Sequence, residues 1–168
     1  MPRTVLALWL AATASLATAQ PANPQIDYAG FEDLTGSVSD YRASRLLSWA
    51  DFAEAAGEPD VLLLDARSAD AFAAGHIRGA VNLPLTDFTA ESLARVVGRA
   101  DRPILIYCNN NFSNNQRPVP MKLASLALNI QTFINLVGYG YPNVRELGEV
   151  IDFNDPTVGW VTSGPSRT

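Results

Sequence analysis

The sequence predicts one α/β domain: a central, mainly parallel sheet flanked by helices on both faces. Three observations carry this. Short apolar runs such as "DVLLLDAR" and "RPILIYC" lack the alternation of a half-exposed strand and read as strands buried on both sides. Segments with helical spacing and polar caps separate them, in the order helix, strand, helix, strand, helix, strand, long loop, helix, strand. The 168 residues are 48% apolar, enough for one core, and show no internal repeat.

The first stretch, "MPRTVLALWLAATASLATAQ", has Arg3 as a positive leader, an apolar run, and Ala17-Thr18-Ala19 before Gln20, the pattern of a cleaved export signal over residues 1–19. Residues 20–43 have no clean periodicity and are expected as an N-terminal extension packed on the main body, which spans 44–150. In "LLSWADFAEAAG", Ser48 caps a helix whose apolar side holds Trp49, Phe52 and Ala55, and Gly57 ends it. The strand in "DVLLLDAR" leads to a short helix over Ala69–Ala74, the turn Gly75-His76-Ile77, and a strand in "GAVNLP". Thr89 caps the next helix, with Leu93, Val96 and Val97 turned inward, and "RPILIYC" is the third buried strand. Asparagines crowd the start of the stretch from Asn109 to Pro120 and prolines close it, so no regular element is expected there. "LNIQTFINLVGYGY" returns to helix with Asn129 as the expected N-cap. "NVREL" is a last strand, and residues 151–168 form a tail anchored by Trp160.

Twelve basic residues against 17 acidic give a net charge of −5, and losing residues 1–19 with Arg3 takes it to −6. With no basic stripe, nucleic acid and anionic membrane surfaces are excluded as partners. No membrane span is expected once the signal is cleaved, and the location is periplasmic or secreted. In an oxidising compartment the single cysteine, Cys108, has no intramolecular partner, so it is either buried and inert or kept for chemistry.

Cys108 follows "ILIY" at the C-terminal end of a central strand, where open α/β sheets form their ligand crevice. Backbone amides there, with the N-terminus of a following helix, stabilise a thiolate or a bound anion, giving an exposed nucleophile of lowered pKa. The competing reading is a small apolar residue that caps the strand. A dithiol mechanism needs a second cysteine. A cysteine phosphatase needs an arginine at position 114, which is asparagine. One cysteine and one histidine do not make a metal site, and neither a metal nor a cofactor is expected. His76 reads as a structural pin of its turn ahead of a Cys–His pair, and Asp65 with Arg67 as an architectural ion pair.

The stretches "DVLLLDARSADAFAAGHIRGAVNLP", "PILIYC" and "GYGYPNVRELG" together resemble the rhodanese-like (sulfurtransferase) domain family over residues 44–150. The resemblance implies a sulfurtransferase in which Cys108 takes sulfane sulfur from a small donor anion such as thiosulfate and passes it as a persulfide to a thiophilic acceptor; the partner is that donor anion or a protein thiol. It also assigns supporting, mainly structural roles to Asp65, Arg67 and His76. The chain departs from the family after the cysteine. The usual loop runs cysteine, two variable residues, glycine, one variable residue, arginine; here it reads "CNNNFSNNQRP". From Cys108 to Gly140 is 32 positions, twice the separation in a typical member, so the rim of the site carries an insertion.

Asn109, Asn110 and Asn111 are candidates for turning amide donors inward, and Arg117 and Lys122 for meeting an anionic donor; the alternative for each is a solvated loop residue. Phe112, expected at the loop tip, covers the thiol or docks on a partner. Asn111-Phe112-Ser113 also matches the N-glycosylation acceptor pattern. Two other functions remain open: a non-catalytic rhodanese-fold binding or regulatory module, and another thiol-based redox or detoxification role. A monomer is expected, with a dimer the alternative.

Overall fold

Leu62–Asp65 and Ile104–Tyr107 lie side by side at the centre of the molecule, and every residue of both is buried, as continuous apolar runs require. The computed structural model describes residues 23–163, so the expected export signal over residues 1–19 lies outside the described residues. The elements in order are α1 (Tyr28–Ala43), β1 (Leu46–Leu47), α2 (Trp49–Ala56), β2 (Leu62–Asp65), α3 (Ala69–Ala74), β3 (His76–Ile77), β4 (Val81–Asn82), α4 (Ala90–Val97), β5 (Ile104–Tyr107), α5 (Leu128–Gly138), β6 (Val144–Leu147) and β7 (Trp160–Val161). One sheet has the order β1-β6-β5-β2-β4 with every pair parallel, and β3 and β7 form a separate antiparallel pair.

Side chains alternate across a strand, so each central strand feeds two cores. Leu62, Leu64, Ile104, Ile106 and Val144 point to one face, against Val38 of α1, Leu93 and Val97 of α4, and Phe133, Ile134 and Leu136 of α5. Leu63, Leu105, Tyr107 and Leu147 point to the other, against Phe52 of α2 and against Phe112, Val119 and Val158 from the long connections. The same alternation sets Cys108 and Glu146 on the side of α1 and α5.

Local signals placed several helices. The Ser48 side chain accepts from Asp51 N–H at the start of α2, Ser68 caps α3 through Ala71 N–H, and Thr89 and Ser92 cap each other's backbone at α4. The segment before β1, expected only as a packed extension, is a four-turn helix. Tyr41 of α1 packs on Phe133 and its hydroxyl donates to Pro142 O at 2.7 Å. At α5 the expectation is corrected: the N-cap is Ala127, which has no side chain to offer, and Asn129 sits inside the first turn. Trp160 does hold the final segment down, in edge contact with Phe112 and stacked on Phe153. Among the described residues, no helix is long and apolar enough to cross a membrane.

Candidate functional site around Cys108

Cys108 closes β5 and opens a short turn, Asn109–Asn111, whose end lies beside the start of α5. The backbone N–H groups of Asn110, Leu128 and Asn129 lie near its sulfur and favour its charged form. Two of them belong to the first turn of α5, where intrahelical acceptors are lacking. The thiol is nevertheless 1% exposed, and burial pushes its pKa above the ordinary value. The Glu146 carboxylate adds to the rise, while the three amides work against it without cancelling it. The exposed, low-pKa thiolate expected from strand position alone is corrected: desolvation outweighs the amide cradle.

A polar chain runs behind the sulfur. Cys108 N–H donates to Asn111 Oδ1 at 2.9 Å, and Asn129 Nδ2 donates to the same oxygen at 3.0 Å and to Glu146 Oε1 at 3.1 Å. Arg42 clamps Glu146 with Nε to Oε2 and Nη2 to Oε1, both at 2.7 Å. Asn111 Nδ2 donates in turn to Leu147 O at 2.8 Å and Glu149 O at 3.0 Å, locking the turn onto the end of β6. A pocket of about 220 Å³ opens over this group, lined by Cys108, Arg42, Asn129, Glu146 and Glu149, by Asn110 and Asn111 of the turn, and by apolar side chains. Arg42 and Glu146 were not singled out in the sequence, and Asn129 was read there only as a helix cap. Arg42 and Glu146 are 104 positions apart, and only the fold joins them.

The asparagine-rich loop is held by its own side chains. Asn109 Nδ2 donates to Pro120 O, Asn110 exchanges two hydrogen bonds with the backbone of Lys122, and Asn114 ties to Asp152 and to Phe153 N–H. Asn109–Asn111 therefore act as staples, and Asn110 additionally gives its backbone N–H to the sulfur. Phe112 is corrected from a loop tip to a core residue: it is wholly buried, edge-on to Tyr107 and Trp160, because its backbone bridges to Ile151 beneath the tail. Neither Arg117 nor Lys122 lines the Cys108 pocket. Arg117 lies beside Ser68, Asp70 and Pro118, and Lys122 lines a separate cavity with Arg67 and Asn109.

The other three residues form a brace on the far side of the sheet. Asp65, fully buried, accepts from Arg67 Nε at 3.0 Å, from Arg67 Nη2 at 2.5 Å and from Tyr107 Oη at 2.7 Å. Burial disfavours the Arg67 charge, but the hydrogen bond and charge of Asp65 overcome it and hold the guanidinium's pKa above its usual value. Arg67 Nη2 also donates to Gly75 O at 2.8 Å, and the His76 ring stacks on Phe72 with Nδ1 2.8 Å from Phe72 O. His76 does not line the Cys108 pocket. Among the described residues, no three histidine, cysteine or acidic side chains are grouped so as to hold a metal ion.

Comparison with known proteins gives one family. The model of the rhodanese-like domain matches residues 48–148. Among solved structures, a rhodanese-like domain from Anabaena sp. is 21% identical with a TM-score of 0.51, over 74% of this chain and 83% of that one. A thiosulfate sulfurtransferase from Pseudomonas aeruginosa is 27% identical with a TM-score of 0.51, over 70% of this chain and 20% of that one. No curated protein matches the sequence.

Proposed function

The chain belongs to the rhodanese-like domain family, and from that premise we propose that it is a sulfurtransferase that carries sulfane sulfur as a persulfide on Cys108. The observation that carries the reading is the place of Cys108: it lines a small pocket beside the first turn of α5, with the backbone N–H groups of Asn110, Leu128 and Asn129 near its sulfur. Such donors favour negative charge at that point. The similarity to a thiosulfate sulfurtransferase points the same way.

In the loading step the Cys108 sulfur attacks the sulfane sulfur of a donor persulfide. A new sulfur–sulfur bond forms on Cys108, the donor's own sulfur–sulfur bond breaks, and its electron pair leaves with the donor sulfur, which takes the thiol proton. In the second step an acceptor sulfur attacks the terminal sulfur. The Cys108 sulfur–sulfur bond breaks, and its electron pair returns to the cysteine. Nothing is oxidised overall. The attacking form is the thiolate, so the resting thiol gives up its proton as it attacks, and the departing donor sulfur receives it.

A second reading, a rhodanese-fold binding module with an inert cysteine, draws on the 1% exposure and raised pKa of the thiol. Mass spectrometry of the intact protein separates the two. Incubation with inorganic polysulfide or thiosulfate is expected to add one sulfur atom to the wild type and none to Cys108→Ser. If neither donor modifies the wild-type thiol, the binding module stands. Export, read from residues 1–19, belongs to the same proposal and is checked by N-terminal sequencing of protein recovered from outside the cytoplasm.

A further inference from the structure

We propose that the acceptor of this site is a small thiol bearing an ammonium group, and that Glu146 selects it. This rests on the persulfide-carrier reading and names its substrate class. Three features of the pocket converge on it. The one cation among its described lining residues is Arg42, and both oxygens of Glu146 clamp it, so its charge is balanced by that carboxylate. Glu149 adds a second carboxylate to the same wall, leaving the lining net negative before any persulfide charge is added.

The third feature is an acceptor with nothing to accept. Asn129 lines the pocket at 3% exposure, and its Oδ1 is buried without a hydrogen-bond partner. The amide cannot be turned to satisfy that oxygen. Its Nδ2 serves two acceptors, Asn111 Oδ1 and Glu146 Oε1, and a flip would set oxygen against oxygen at both. A buried unpaired oxygen is costly, and such groups in folded proteins call for a partner the protein itself does not supply. An ammonium is that partner: it brings N–H donors to Asn129 Oδ1 and positive charge to a wall with two carboxylates. A carboxylate or sulfonate meets the two carboxylates of that wall and gives Asn129 Oδ1 no donor. The 220 Å³ volume suits a small molecule.

The test uses acceptors of similar size and different charge. Wild-type protein is loaded with inorganic polysulfide, and sulfur loss from Cys108 is followed by mass spectrometry with cysteamine, 2-mercaptoethanol or thioglycolate. The cysteamine-to-thioglycolate rate ratio is compared between wild type and Glu146→Gln, so that the intrinsic reactivities of the thiols cancel. Removing one charge beside the sulfur is expected to lower that ratio about tenfold or more, by releasing Arg42 and deleting the carboxylate. Glu149→Gln, at the exposed rim, is expected to lower it less, and it stands as the readout if Glu146→Gln does not fold. A ratio unchanged in the variants overturns the inference while leaving sulfur loading intact. Failure of polysulfide to load wild-type Cys108 overturns the carrier reading itself, and the inference with it.

Discussion

Asn111→Ala is the substitution whose cost the structure sets out most fully. The Asn111 side chain accepts from Cys108 N–H and Asn129 Nδ2 and donates to Leu147 O and Glu149 O. Asn129 Nδ2 keeps Glu146 when the side chain is cut, but Cys108 N–H and the two carbonyls lose their partner. At roughly 1 kcal/mol for each buried orphan, with Glu149 O at the exposed rim counting less, the loss of stability is about 2–3 kcal/mol. Urea unfolding at neutral pH measures it as a lower midpoint at constant m-value. Asn111→Asp separates the two halves of the network: it keeps the oxygen that accepts from Cys108 and loses both donors, so it is expected to destabilise at least as much. A loss under about 1 kcal/mol for Asn111→Ala would refute the reasoning, because buried backbone groups must then find partners that the network does not contain. The same geometry predicts no glycan at Asn111-Phe112-Ser113 in the folded chain, since the Asn111 amide nitrogen is already committed to two carbonyls.

Burial and the Glu146 charge disfavour the Cys108 thiolate, so alkylation by iodoacetamide is expected to be slow at neutral pH and to rise with a midpoint above the ordinary thiol value; a midpoint below it contradicts the site as described. Asp65→Asn strands a buried guanidinium and is expected to cost about 3–5 kcal/mol in urea unfolding. Burial and then Asp65 hold the Tyr107 hydroxyl well above its usual pKa, so ultraviolet titration of the same variant is expected to show Tyr107 ionising at lower pH than in the wild type. In Gly75→Ala the new methyl group meets the indole of Trp160, so the β3–β7 pair is expected to open, with a cost of about 1–3 kcal/mol and faster proteolysis of the C-terminal segment.

Much of the fold was legible because its signals are local. The apolar runs of β2 and β5 announce burial on both faces. Ser48 and Thr89 announce helix starts, and the helix expected over Ala69–Ala74 is the one observed. What was not legible depends on residues far apart in the chain. The asparagine-rich loop looked irregular because its partners Pro120, Lys122, Leu147, Glu149 and Asp152 lie up to 38 positions away. Asn129 looked like a cap because its side-chain partners, Asn111 and Glu146, lie 18 and 17 positions away in the chain. Phe112 looked exposed because nothing nearby marks the aromatic cluster it completes with Tyr107, Phe153 and Trp160.

Arg42 and Glu146 change what the amide cradle means. Amides directed at a sulfur ordinarily signal a thiolate ready at neutral pH. Here the same amides face a carboxylate from β6 and a nearly closed environment, and the thiol stays protonated. Adding a sulfur atom changes that balance, because the negative charge of a persulfide sits mainly on its terminal sulfur, one bond beyond the cysteine. On the carrier reading, the amides and Glu146 thus act at different stages. The amides oppose the burial penalty on the Cys108 sulfur whenever it carries charge, during attack and again when the acceptor takes the terminal sulfur. Burial, with a smaller contribution from Glu146, keeps the empty thiol protonated and unreactive toward stray electrophiles. Arg42 is what lets a buried carboxylate persist beside the nucleophile, since one left unpaired there is strongly destabilising. The ion pair between the last turn of α1 and β6 therefore stabilises the fold and sets the charge that the cysteine meets.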